Sequence, residues 1–124
     1  MKEVSLKSIL DLDRMVHEPA RLAILTVLSA AEAVEFLFLL KVTGLSKGNL
    51  SVQTQRLDAA GYLKTTKGYR GRIPVTSFAI TPDGKKALVA YHAQLRALLP
   101  ESGRRDGRTH TKGSRGKNRG GAGK

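Results

Sequence analysis

Apolar residues enter this chain in blocks whose spacing runs from helical to alternating and back to helical. After a polar start, Val4, Leu6, Ile9, Leu10 and Leu12 arrive near helical spacing and predict a first helix over about residues 6–16. Glu18-Pro19 ends it, because proline disfavours a helical residue before it and suits the first position of a new helix. From Pro19 to Ser29, Leu22, Ile24, Leu25, Val27 and Leu28 make an apolar face broad enough to be largely buried, with Arg21 left to reach the surface. Ala30-Ala31-Glu32-Ala33 reads as a connection. Phe36 to Thr43 makes the next helix, ended by Gly44. Its apolar residues run nearly all round, so it is expected to be the most buried helix or to touch a second protein surface.

The stretch from Leu45 to Leu63 organises the rest. Ser46 can accept from a free backbone N–H one turn on, and Gly61 enters the left-handed region without a Cβ clash, so a helix of about four turns is bracketed over 46–60. Stepping about 100° per residue from Leu50 puts Leu57 and Thr54 on one side with Gln53 beside them. Gly48, Asn49, Ser51, Val52, Gln55 and Arg56 fall on the other. That outer row has the chemistry of base-edge readout: Asn and Gln pair two-pronged with adenine, Arg with guanine, and Val meets a thymine methyl. Taken alone, the row is better read as that of an ordinary amphipathic helix with a solvated face. Its neighbours decide between the two.

Beyond Gly61, Tyr62 to Lys67 and Val75 to Ile80 read as strands flanking the basic, glycine-interrupted Gly68-Tyr69-Arg70-Gly71-Arg72-Ile73-Pro74. Leu63, Phe78 and Ile80 should face the core, while Lys67, Arg70 and Arg72 gather at a tip loosened by Gly68 and Gly71. Thr81-Pro82-Asp83-Gly84 then caps a last helix marked by Leu88, Val89, Tyr91, His92, Leu95, Leu98 and Leu99, and Pro100 stops it. A chain of 124 residues supports one modest core, which leaves that apolar set in surplus.

The order of these motifs carries a resemblance. A helix, then Leu57-Asp58-Ala59-Ala60-Gly61-Tyr62-Leu63, then a hairpin with an arginine-rich tip, then Ile80-Thr81-Pro82-Asp83-Gly84 opening another helix, resembles the winged helix-turn-helix DNA-binding domain of MarR-like and ArsR-like transcriptional regulators over about residues 10–99. The resemblance implies a mainly α fold with a small β-hairpin (α+β), a three-helix unit flanked by an N-terminal helix and a C-terminal dimerisation helix, and a very short strand at Ala33-Val34-Glu35. His17-Glu18-Pro19-Ala20-Arg21-Leu22 is similar to the family's opening of that unit. One domain over 1–100 and a basic tail over 101–124 follow.

Function follows by implication too. A dimer would bind double-stranded DNA, setting the helix of residues 46–60 in the major groove through Ser46, Lys47, Asn49, Ser51, Val52, Gln55 and Arg56. The wing, about 67–75, would meet backbone or minor groove through Lys67, Arg70 and Arg72. Similar regulators pair through their terminal helices, so the surplus apolar positions, Leu6, Ile9 and Leu10 with Leu88, Tyr91, His92, Leu95, Leu98 and Leu99, are expected at the dimer interface. Two rival readings stay open: a nucleoid-type or RNA-binding protein of little sequence preference, and a protein-interaction module.

Charge supports a polyanionic partner. Lys and Arg number 22 against 10 acids, a formal +12. Residues 101–124 hold eight of these cations and two acids, net +6, so residues 1–100 keep the other +6. The tail has no large apolar residue to offset its ordering entropy and is expected to be disordered. It adds sequence-blind affinity for DNA or simply solubility.

The absence of cysteine removes disulfides, thiolate metal sites and cysteine nucleophiles, together with the thiolate sensing site of some ArsR-like proteins. No P-loop, His-Glu-x-x-His or nucleophile elbow is present, so no enzyme, no metal and no cofactor is expected. His17 has no second histidine or carboxylate one turn on, which favours a capping or partly buried role over a ligand or proton switch. The longest apolar run, Val34 to Leu40, is broken by Glu35 and too short for a bilayer, and the N-terminus lacks a signal-peptide core. A cytoplasmic protein is expected. Whether a small effector binds is not legible.

Overall fold

A computed structural model describes residues 11–99. Leu12 to His92 form one compact unit, while Asp11 and the final helix from Ala93 onward fall to a second. The described elements are α1 (Pro19–Ser29), β1 (Val34–Glu35), α2 (Phe36–Thr43), α3 (Lys47–Ala59), β2 (Leu63–Arg70), β3 (Ile73–Ile80) and α4 (Pro82–Leu98). Four helices and a three-stranded antiparallel sheet of order β1-β3-β2 make an α+β winged-helix arrangement among these residues.

Each boundary has a local cause. Pro19 opens α1 behind Glu18, whose carboxylate accepts from the backbone N–H of Arg21 at 2.8 Å. Gly44 closes α2 in the left-handed region, φ 71°, donating its N–H to Leu40 O. At the head of α4, the Thr81 hydroxyl accepts from Gly84 N at 3.0 Å and donates to Gly61 O at 2.6 Å. The same residue therefore caps a helix and ties it to the turn before β2.

The core lies where α1, α2 and α3 meet the sheet. Ile24, Leu25 and Leu28 of α1, Leu39 of α2, Leu50 and Leu57 of α3, and Leu63 of β2 are all fully or almost fully buried, and Phe78 of β3 covers them. Full burial of one such side chain stabilises by about 1.5–3 kcal/mol. Of the hairpin residues expected to face the core, Leu63 and Phe78 are buried, while Ile80, paired with Leu63, is only half-buried like its neighbour Ala79.

Three expectations are corrected. Residues 11–16 are turns and not the end of a helix, because Oδ1 of Asp13 accepts from the N–H of Met15 at 2.9 Å and Val16 at 3.3 Å, offering the backbone an alternative to helical bonds. The remainder of that expected helix, with Leu6, Ile9 and Leu10, lies outside the described residues. Helix α2 is not the most buried: only Leu39 is enclosed, and Leu37, Phe38 and Val42 are 68%, 55% and 46% exposed. Eight residues with an all-round apolar surface have one side to bury and two to show. Gly68 and Lys67 belong to no loop either, since pairing runs unbroken from Leu63↔Ile80 to Arg70↔Ile73 and leaves only Gly71-Arg72 as the turn.

No helix among the described residues is long and apolar enough to cross a membrane.

Candidate nucleic-acid interface

Helix α3 is held at both ends by its own sequence. Oγ of Ser46 accepts from Asn49 N at 3.1 Å. At the other end Tyr62 N donates to Leu57 O at 2.9 Å and Gly61 takes φ 82°, a pattern that satisfies the last carbonyls and turns the chain into β2. Gly44-Leu45-Ser46 is all that separates α2 from α3, so the two helices form a tight helix-turn-helix.

The faces of α3 divide as the periodicity predicts. Leu50, Gln53, Thr54 and Leu57 are buried. Lys47, Asn49, Val52, Gln55 and Arg56 are exposed together with Ser46, while Ser51 is half-buried. Exposed acid is absent from this outer row; Asp58, the one carboxylate of α3, is turned to the sheet and accepts from Thr65 Oγ1 at 2.6 Å. Beside the row lies a cleft of about 480 Å³, walled by Ser51, Gln55 and Asp58 of α3 and by Thr65, Lys67 and Thr76 of the sheet. Lys67 is thus brought to the flank of α3 and not to the tip of the hairpin.

At the tip Arg72 is exposed in the turn, where Gly71 adopts φ 64°, a conformation suited to a two-residue hairpin connection. Arg70 is not a loose cation. Its guanidinium pairs with the carboxylate of Glu35 on β1, both side chains being largely exposed. Sequence reasoning gave Glu35 no such role, and only the order β1-β3-β2 brings the two residues within reach. Tyr69 and Ile73 are also strongly exposed here and add apolar surface to the tip.

Behind α3 stands a residue expected at the surface. The Arg21 side chain is only 11% exposed. Its Nε donates to Met15 O at 2.7 Å, Nη2 to Arg14 O at 3.3 Å and Nη1 to Oε1 of Gln53 at 2.8 Å. Nε2 of Gln53 in turn donates to Oδ1 of Asn49 at 3.0 Å. Carbonyls of an irregular segment carry no sequence signal, so Arg21 was not legible. The one clue was Gln53 on the buried side of α3, where an amide needs partners.

The expected dimer residues separate into two sets. Leu88 and Tyr91 are buried within the chain, Tyr91 sharing a 2.7 Å hydrogen bond between its hydroxyl and Nδ1 of His17, so these two are filling this chain's own core. His92, Leu95 and Leu99 are exposed and Leu98 is half-buried. No group of His, Cys, Asp or Glu among the described residues is arranged to hold a metal.

Residues 20–99 match a family model described as a winged helix DNA-binding domain. The chain belongs to that family. In winged-helix terms α2 and α3 are the helix-turn-helix and β2-β3 is the wing. A transcriptional regulator homologue from Pyrococcus horikoshii is 26% identical, with a TM-score of 0.70 over 75% of this chain and 94% of its own. A MarR-family transcriptional regulator from Silicibacter pomeroyi shares the fold at 18% identity, TM-score 0.60, over 85% of this chain and 67% of its own. So does a Bordetella bronchiseptica protein whose DNA binding is regulated by 6-hydroxynicotinic acid, at 17% identity, TM-score 0.59, over 81% of each chain. A search of curated proteins finds no match. The family's description names DNA binding, and the Pyrococcus and Silicibacter proteins are transcriptional regulators by name.

Proposed function

We propose that this protein is a sequence-specific double-stranded DNA-binding transcriptional regulator that acts as a homodimer. The outward row of α3 carries the reading: Asn49, Val52, Gln55 and Arg56 are exposed side by side, chemically suited to base edges, with Ser46 and Lys47 at the helix start. The N-terminal end of a helix offers its unpaired N–H groups to phosphate, Ser51 and Lys67 flank the row in the cleft, and Arg72 is exposed at the wing tip. Two copies would place two such helices in successive major grooves, about 34 Å apart. His92, Leu95, Leu98 and Leu99 are the described candidates for the contact between copies; Leu6, Ile9 and Leu10 are proposed from sequence alone. The protein would act in the cytoplasm, at the nucleoid.

Selection of bound sequences from random duplexes, followed by competition with unrelated duplex at fixed salt, tests this. One enriched motif with two-fold symmetry is expected. Gln55→Ala should then lower affinity for that motif by about 1–3 kcal/mol and leave random duplex nearly untouched. Arg72→Ala should weaken both complexes and reduce the salt slope by about one. Equal loss of motif and random duplex in the α3 variant would make the helix a charged surface only, as in a nucleoid-type or RNA-binding protein. Sedimentation as a monomer at micromolar concentration would remove the dimer.

A further inference from the structure

A guanidinium has five N–H donors and no acceptor. Whatever faces Arg21 must therefore present an oxygen, which fixes the orientation of the Gln53 amide: Oε1 toward Arg21 and Nε2 away from it. Nε2 can only donate, so the Asn49 amide facing it must turn its own oxygen inward, as the 3.0 Å Nε2 to Oδ1 contact records. Hydrogen-bond polarity thus passes without choice from Arg21 through Gln53 to Asn49. Arg21 cannot easily turn away, because two backbone carbonyls of the 14–15 turn hold the rest of its fork. Asn49 cannot drift either, since Ser46 fixes its backbone N–H. Gln53 and Arg21 are shielded from solvent, and Asn49 is exposed. The group that Asn49 shows to the outside is its NH₂.

We infer that Arg21 and Gln53 are positioning residues that set the polarity of Asn49, so that it enters the major groove with N–H donors leading and selects the acceptor edge of a guanine, N7 and O6. This rests on the reading of α3 as a DNA-reading helix. A freely rotating Asn49 would serve donor and acceptor edges alike; the relay removes that ambiguity from behind, through two side chains that touch no DNA.

The decisive variant is Gln53→Glu. It keeps the shape and the bond to Arg21, but its second oxygen opposes Oδ1 of Asn49, so the Asn49 amide must flip and lead with its oxygen. Selection from random duplexes should then exchange guanine at the Asn49 position for a base with an exocyclic amine, adenine or cytosine, by about tenfold or more in relative preference. Gln53→Leu keeps the volume, frees the amide and should flatten preference at that position alone. In an Asn49→Ala background neither change should alter base choice. A merely structural Gln53 would instead lower affinity with base choice unchanged, and that outcome overturns the inference.

A DNA-independent measurement separates the relay from the reading beneath it. In the free wild-type protein the side-chain amide protons of Gln53 should exchange with solvent more slowly than those of Asn49; the reverse order overturns the relay directly. Should the wild type select no sequence at all, the DNA-reading role falls and takes the role of Asn49 with it, even where the exchange order stands.

Discussion

The phenol of Tyr62 donates to Oδ2 of Asp13 over 2.8 Å, while Oδ1 of the same carboxylate holds the N–H of Met15 at 2.9 Å. One side chain thus shapes the turn before α1 and fastens it to the root of the wing. Burial, then the hydrogen bond and charge of Asp13, hold the Tyr62 proton above the ordinary tyrosine value of 10.0. Because the folded state keeps that proton more tightly than the unfolded chain, the contribution is fully present below about pH 10 and is lost as pH rises through the folded-state value. Urea titrations from pH 8 to 11 should show wild-type stability falling at the alkaline end. Tyr62→Phe should be less stable at pH 8 and lose part of that decline.

Glu35 holds Arg70, a wing cation proposed to meet DNA. In Glu35→Gln the guanidinium of Arg70 is released, so duplexes of every sequence should bind more tightly. The log–log salt slope should steepen by about 0.9 if Arg70 gains one phosphate. Stability should change by less than about 1 kcal/mol, since the pair is exposed. Fluorescence anisotropy across a salt series measures both, and an unchanged slope would show that Arg70 does not reach the backbone.

Gly84 is buried at the head of α4, where an added methyl would overlap the carbonyl oxygen of Tyr62 and come within 2.9 Å of Ile80 Cγ1. Gly84→Ala should cost about 1–3 kcal/mol through displacement of the backbone, despite the better helix propensity of alanine. Thermal unfolding would register it. DNA affinity, corrected for the folded fraction, should be unaltered.

Neighbouring residues of α2 should behave in opposite ways. Leu39→Ala empties a fully buried site and should cost about 2–5 kcal/mol, while Phe38→Ser, on the exposed side, should stay within about 0.5 kcal/mol. Equilibrium urea unfolding of the two variants side by side is the check.

What the sequence made legible was what local chemistry decides. Ser46 and Gly61 bracket α3 because capping and left-handed geometry depend on residues a few positions away, and Leu50, Thr54 and Leu57 take the inner face because helical spacing leaves no alternative. Where partners are remote in sequence, the reading failed. Arg21 is tied to Gln53 across 32 positions and to carbonyls that any residue could supply. Arg70 meets Glu35 across 35 positions, through a strand of two residues. Apolar content misled in α2, since Leu37 and Phe38 are as hydrophobic as Leu39 and only packing tells them apart. The outer row of α3 was identified residue by residue; the side chains that orient it from behind were not.

Strand β1 gives way to α2 with no residue between Glu35 and Phe36. The wing, by contrast, ends in a two-residue turn exposed on its tip. Chain length is therefore free in one place and fixed in the other. A residue added at Gly71-Arg72 lengthens a projection and disturbs little behind it. One added before Phe36 rotates α2 by about 100° about its axis, swings Leu39 out of the core and brings Phe38, with Val42 one turn on, round toward it. With three residues joining α2 to α3, the rotation has no slack in which to dissipate, so α3 would be displaced by an insertion ten positions upstream of its cap. Variation in length should accumulate at the wing, and the junction before α2 should tolerate changes of residue but not of count.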